Sequence, residues 1–328
     1  MKILITGISG FIAGGLARTL ITHRHTVLGT GRRESVNATV PFATLDVTDF
    51  AATRALLERE KPDMIYHLAA LSVLQAASGP DGARVMLETN VAGTWNVLEA
   101  SRRVGVAAVV VASSDKQYGA LAVPPYDDTD ATAFLNGGVY ELSKAQQDQV
   151  ARLYAGLYNT PAVRVARLAN VYGPGDSHWS RIVPGTIRRT VQGEAPRLTA
   201  GRAGEALREY VFLDDALAAL IALADDALAR GNGPLRRDDG KLARVAFNIG
   251  SPHRYAAGEV IRTVQAVLAS AFGIIGPAPE VLPGPVGVFE PGSQFSDHQR
   301  LKDLVPHYAP RALAEGLRLT IPWYLEQL

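Results

Sequence analysis

The sequence predicts an α/β fold, a doubly wound parallel sheet joined to a smaller mixed domain. Three observations predict it. Short apolar runs alternate with helix-period segments through the first half; the first run ends in a glycine-punctuated turn; and after about Tyr172 the texture shifts to Gly-, Pro- and Arg-rich segments. In chain order, Ile3 to Ile5, Val27 to Leu28, Met64 to Leu68, Val109 to Ala112 and Ala162 to Ala166 read as buried strands. Between them, Phe11 to His23, Asp49 to Glu60, Thr89 to Val104 and Tyr140 to Tyr158 carry helical spacing. Later punctuation falls at Gly173-Pro-Gly175, Gly231-Asn-Gly-Pro234 and Gly276-Pro-Ala-Pro279, and Gly231 to Gly240 reads as an exposed loop.

A chain of 328 residues, 47% hydrophobic and 20% charged, buries a substantial core. Its formal net charge of +1 offers no electrostatic case for nucleic acid or an anionic membrane surface. The absence of cysteine excludes disulfides, zinc thiolates and cysteine nucleophiles. Met1-Lys2 runs straight into an apolar strand pattern without the anatomy of a signal peptide, and no apolar stretch is long enough to span a bilayer. The expected location is cytoplasmic.

The first chemical signal is Gly7-Ile-Ser-Gly10-Phe11-Ile12-Ala13. A strand ending at Gly7, a tight turn through Gly10 and a helix opening at Phe11 and Ile12 would aim free amides at a dinucleotide pyrophosphate, while small residues let the backbone come close. At the end of the second strand stand Thr30, Arg32 and Arg33, with no acid before Glu34. A carboxylate there suits the ribose 2′-hydroxyl of NAD, whereas arginine accepts a 2′-phosphate, so NADP is expected, with NAD as the alternative and a solvated basic turn as the plain structural reading. Asp46-Val47, after a third short strand, would border the adenine; Asp46 could equally cap a helix.

Tyr140 and Lys144 lie one helical turn apart and can face one cleft. Lys144 would hydrogen-bond the nicotinamide ribose and, by its charge, lower the phenol pKa until Tyr140 serves as a base near neutrality. Ser114, Asp115 and Lys116 follow the strand Val109 to Ala112 and would add a hydroxyl and an acid–base pair to the same pocket.

On these residues the chain resembles an extended short-chain dehydrogenase/reductase of the nucleotide-sugar epimerase and dehydratase group. His67-Leu68-Ala69-Ala70 resembles that family's fourth-strand motif, and Thr89-Asn90 with Gly93-Thr94 resembles its Asn-bearing helix. Arg167 to Pro174, which contains Asn170, resembles the strand leading into the substrate region. The segment from Arg208 to Asp215 resembles the one whose Arg grips a diphosphate, and Asn248-Ile-Gly250 resembles a late strand of the group. The resemblance implies a Rossmann-type sheet, a retained nicotinamide cofactor held also by Leu68, Ala69, Ala70 and Asn90, and a nucleotide-diphosphate hexose substrate. It also implies a homodimer packed through the helices bearing Asn90 and Tyr140. The implied domains are 1–175 with about 210–250 for the dinucleotide, and about 176–209 with 251–328 for the substrate.

Within the group, Ser114-Asp115-Lys116 is similar to the 4,6-dehydratases, which place an acid and a base after the Ser/Thr, and Gly175-Asp176 and Ser180-Arg181 resemble the CDP-glucose type. The reaction implied is conversion of an NDP-hexose to an NDP-4-keto-6-deoxyhexose: Tyr140, assisted by Ser114, at the 4-hydroxyl, Lys116 at C5 and Asp115 at the 6-hydroxyl. It needs no metal. Asn170, Arg181 and Arg208 would contact substrate, while His178 and Trp179 read equally as packing. The alternatives are a 4-epimerase in which Asp115-Lys116 is only an ion pair at a strand end, a non-catalytic dinucleotide sensor, and a reductase of a non-sugar carbonyl.

Overall fold

A computed structural model describes residues 1–33, 40–72, 81–119, 124–126, 138–199, 202–232, 245–283 and 292–328. Glu34 and most of the loop expected at 231–240 lie outside the described residues. The strands in chain order are β1 (Lys2–Thr6), β2 (Thr26–Gly31), β3 (Phe42–Thr44), β4 (Met64–His67), β5 (Ala108–Ser114), β6 (Ala162–Leu168), β7 (Asn170–Tyr172), β8 (Arg197–Thr199), β9 (Arg208–Phe212), β10 (Ala246–Ile249), β11 (Arg254–Tyr255) and β12 (Glu280–Leu282). Seven form one sheet in the order β10-β6-β5-β4-β1-β2-β3, every pair parallel. This is the expected Rossmann-type doubly wound sheet.

Alternation along the strands divides the core into two layers. Ile3, Ile5 and Val110 point to one face, where they meet Leu16 and Leu20 of the helix Phe11–Thr22 and Leu217 and Leu220 of the helix Leu213–Arg230. Leu4, Val109 and Val111 point to the other, against Leu57 of Phe50–Glu60, Val97 of Gly93–Val104 and Ala151 of Val139–Leu157. A sheet so covered must have strands that are apolar on both sides, as the Val-Val-Val run of β5 is.

Helix ends depart in detail from the sequence pattern. Asp49, not Asp46, caps Phe50–Glu60, its carboxylate accepting from Ala52 N, whereas Asp46 turns its carboxylate onto Thr48. The helix expected from Thr89 begins earlier, at Gly82, and passes through a π turn at Glu88–Ala92 before Gly93–Val104, which Gly105 ends in the left-handed conformation.

Beyond β6, β7 and β9 pair in parallel and β11 joins β9 antiparallel. Together with the helices Ile182–Val191, Ala257–Phe272 and Leu313–Leu325 they enclose a third core of Tyr172, Ile187, Phe212, Val264, Leu317 and Tyr324. The main sheet takes back the chain at β10, which runs beside β6. Among the described residues no helix is long and apolar enough to cross a membrane.

Candidate active site

Strand order reverses between β1 and β4, and all strands run parallel, so the loops leaving their carboxyl ends share one crevice. A cavity of about 520 Å³ opens there. It is lined by Gly7, Gly10, Phe11 and Ile12 after β1, by Leu68, Ala70 and Ser72 after β4, and by Ser114, Asp115 and Lys116 at β5. Tyr140 and Lys144 enter from the helix Val139–Leu157, and Asn170, Asp176, His178 and Arg181 close the far side.

The turn after β1 requires glycine. Gly7 has φ +73°, and a Cβ there would lie 2.7 Å from Ala69 Cα. Its N–H donates to Thr30 O at 2.8 Å, and Gly10 N–H returns to Gly7 O at 2.9 Å. Helix Phe11–Thr22 starts at Gly10 without a side-chain cap, which leaves its first amides for an anion at the cavity wall. An uncapped helix start beside a glycine cradle fits a dinucleotide pyrophosphate.

At the end of β5, Ser114 Oγ donates to Asp115 Oδ1 at 3.0 Å and accepts from Lys116 N at 3.2 Å. Lys116 Nζ lies 3.0 Å from Asp115 Oδ2, with the carboxylate buried and the ammonium half-buried. The pair is therefore no solvated surface contact; it forms part of the cavity wall. Asp115 also acts on Arg208: burial lowers the guanidinium pKa, and the nearby carboxylate opposes that shift.

Lys144 is buried, and its Nζ donates to Ala112 O at 3.0 Å and Gln147 Oε1 at 2.8 Å. Burial brings this ammonium down to about 8. The Tyr140 phenol is hydrogen-bonded to Ser114, yet burial outweighs that bond and pushes the phenol up to about 12. Burial, which penalises the phenolate, thus acts on Tyr140 against the tuning expected of Lys144.

The other residues expected at ligands have these surroundings. Thr30 is fully buried, with its hydroxyl 3.5 Å from Ile5 O and its carbonyl under the glycine turn. Val47 is buried against Gly93, where an added Cβ would meet its Cγ2 at 2.7 Å. Asn90 is wholly buried and works as a clamp: Oδ1 accepts from Leu71 N at 2.7 Å, and Nδ2 donates to Leu71 O at 3.0 Å and Ser143 Oγ at 2.9 Å. Ala69 N donates to Thr6 Oγ1 at 3.1 Å beneath Gly7. Asn170 donates to Glu209 O at 3.0 Å, and Arg208 Nη1 donates to Leu207 O at 3.0 Å and Gly292 O at 2.7 Å. Arg32, Arg33 and Asp46 are exposed beyond β2 and β3.

The sequence pattern marks no role for Asp176. It is buried, takes Arg181 Nη1 at 2.9 Å, and has its own carbonyl bonded by Tyr324 Oη at 2.7 Å. It seats Arg181 at the cavity edge. Gln147 is likewise unmarked by any motif, although its place three residues after Lys144 on one helix puts both on the same face.

Glycine turn, uncapped helix start and Tyr/Lys helix meet at the switch point of a doubly wound sheet, the layout of a dinucleotide-dependent α/β protein. Residues 3–235 match the model of the NAD dependent epimerase/dehydratase family, and the chain belongs to that family, whose members are nucleotide-sugar dehydratases, epimerases and decarboxylases. It is 27% identical over 341 residues to a UDP-N-acetyl-alpha-D-glucosaminuronate decarboxylase of Bacillus cytotoxicus, covering 99% of this chain and 98% of that one. It is 26% identical to a dTDP-glucose 4,6-dehydratase of Neisseria meningitidis serogroup B, covering 99% and 93%. A solved UDP-glucose 4-epimerase of Thermotoga maritima, crystallised with UDP-glucose, shares the fold with a TM-score of 0.81 at 24% identity, over 100% of this chain and 99% of that one.

Proposed function

We propose that this chain is an NDP-sugar 4,6-dehydratase that retains NADP. The observation that carries the reading is the Asp115–Lys116 pair, seated in the cavity wall and joined through Ser114 to Tyr140. Inverting a single carbon requires no such pair; eliminating water across two carbons requires an acid and a base.

Gly7, Gly10, Phe11 and Ile12 would hold the pyrophosphate, Lys144 the nicotinamide-side ribose, and Arg32 and Arg33 the 2′-phosphate. When bound, the dinucleotide supplies reversible two-electron oxidation of the sugar, opening the sequence at C4 and closing it at C6. Lys144 would offset by its charge the burial that raises the phenol, so that Tyr140 Oη receives the proton of the 4-hydroxyl as Ser114 turns its O–H toward the phenolate. A carbonyl at C4 then acidifies the C5 proton. The hydrogen bond from Lys116 Nζ to Asp115 Oδ2 is a path for one proton, whose transfer turns the ion pair into a neutral amine and a carboxylic acid. Lys116 takes the C5 proton and Asp115 gives its own to the departing 6-oxygen. The C5–H and C6–O bonds break, the C5=C6 double bond forms, water leaves, and the ion pair is restored. As the sugar is reduced at C6, Lys116 gives a proton to C5, and the proton held by Tyr140 returns to the pair through Ser114 and Asp115.

Arg181, seated by Asp176, and Asn170 both line the cavity and would contact the diphosphate. Exposed Trp95, Leu153 and Leu157 on two adjacent helices suit burial against a second copy, which light scattering would read as twice the chain mass. The reaction is tested by mass spectrometry after incubation in deuterated water with CDP-, GDP-, UDP- and dTDP-hexoses. Loss of one water with deuterium at C5 is the expected result. Unchanged mass with an inverted C4 would make the chain an epimerase and the Asp115–Lys116 pair a bystander.

A further inference from the structure

A chain of hydrogen bonds links the glycine turn to Lys144, and counting donors leaves it a single arrangement. Thr6 Oγ1 accepts from Leu68 N at 3.2 Å and Ala69 N at 3.1 Å, which fills both lone pairs, so its one proton goes to His67 Nδ1 at 2.8 Å. His67 therefore carries its hydrogen on Nε2. That hydrogen meets Thr94 Oγ1 at 2.9 Å. Thr94 has already given its own proton to Asn90 O at 2.7 Å, and its second lone pair accepts from Gln147 Nε2 at 2.8 Å. Gln147 is then unable to flip: with its oxygen toward Thr94 it would find no proton there, and its amino group would face the Lys144 ammonium. Its Oε1 stays on Lys144 Nζ at 2.8 Å.

His67, Thr94 and Gln147 are all wholly buried, so no water substitutes for a lost partner at low cost. Burial, reinforced by the charge of Lys144, depresses the imidazole to about 3 and keeps it neutral, which the arrangement needs since a second ring proton would point at the proton of Thr6. Lys144 has three N–H donors; Ala112 O and Gln147 Oε1 take two of them.

We propose that Gln147, locked by Thr94 and by the Nε2–H form of His67, is a positioning residue that aims the third N–H of Lys144 into the cavity and stabilises its charge there. The proposal rests on the reading that Tyr140 and Lys144 serve a bound dinucleotide. It differs from that reading in assigning the direction and charge of Lys144 to groups that touch neither ligand.

The test is the affinity for NADPH, read by fluorescence from pH 6 to 10 in the full-length protein, for wild type, Gln147→Leu, Gln147→Glu and Lys144→Met. In Gln147→Leu the affinity should fall about tenfold, the effect of one hydrogen bond to a charged group, and its alkaline limb should move to lower pH. Gln147→Glu should move the limb to higher pH, because a carboxylate favours the ammonium. Thr94→Val, which leaves Gln147 in place but unlocked, should shift the limb in the same direction as Gln147→Leu, and it serves if Gln147→Leu fails to fold. A wild-type limb in Gln147→Leu or Thr94→Val, with Lys144→Met impaired, would overturn the positioning role and leave the site intact. Wild-type affinity and limb in Lys144→Met would overturn both.

Discussion

Arg167 grips Asp148 through two hydrogen bonds, 2.7 Å from Nε to Oδ2 and 2.9 Å from Nη2 to Oδ1, with neither side chain reached by solvent. Burial works against the carboxylate, but Arg167 and Arg152 outweigh it and hold Asp148 below the usual carboxylate range. The guanidinium also donates to Tyr118 Oη at 2.8 Å, and Tyr118 belongs to the turn Asp115–Tyr118. Removing the carboxylate takes from the buried guanidinium the anion that balances its charge. Asp148→Asn should therefore lower stability by about 3–5 kcal/mol, measured by urea unfolding, and the double change Asp148→Leu with Arg167→Met should cost less than the single one.

Asp115→Asn removes the acid of the proposed elimination and leaves Tyr140 and Ser114 in place. C4 oxidation should persist, seen as absorbance of reduced nicotinamide, while water loss disappears. Full dehydration by this variant would take Asp115 out of the reaction.

His67 sets the response of stability to acid. Unfolded, its imidazole takes a proton near 6.5; folded, it resists until about 3. As pH falls below about 6.5 the unfolded chain gains a proton that the folded chain refuses, so stability is lost by up to about 1.4 kcal/mol per pH unit toward 3. Compared between pH 7 and 5, the urea midpoint of His67→Gln should fall less than that of wild type.

Gly7→Ala combines a left-handed backbone with a Cβ 2.7 Å from Ala69 Cα and 2.8 Å from Ala69 N. The conformation alone costs about 1–2 kcal/mol, and the clash is with backbone that has no room to yield. Thermal unfolding should show a loss above 2 kcal/mol, roughly the upper end of that figure, together with weakened dinucleotide binding.

Arg32 and Arg33 are the test of cofactor choice. Replacing both by Ala should weaken NADPH much more than NADH in a fluorescence titration, because only NADPH carries the 2′-phosphate. Equal weakening of the two would assign these arginines to the solvated turn.

What the sequence made legible was whatever local spacing encodes. Tyr140 and Lys144 need only the period of one helix to reach a common cavity, and Gly7 is marked by the strand that stops at it. The groups behind them are paired by the stacking of distant elements: Arg167 with Asp148 across strand and helix, His67 with Thr94 between β4 and Gly93–Val104. No periodicity carries such a pairing. Thr30 and Val47 show the same limit, since an inward-facing residue at a strand end looks the same in sequence as one that meets a ligand, and the finished sheet shows both to be buried.

Strand β10 adds a dependence in time. Tyr118 Oη donates to Asn248 Oδ1 at 2.7 Å, and Asn248 Nδ2 reaches Tyr126 O at 3.1 Å and Asp297 O at 3.0 Å. During synthesis, the turn bearing Asp115 and Lys116 leaves the ribosome long before the amide that fastens it. A nascent chain halted after residue 235, where the family match ends, would hold that turn through Arg167 but not through Asn248. On the proposed reading, the acid–base pair gains the second anchor of its turn only when β10, the last strand in chain order to join the seven-stranded sheet, is in place.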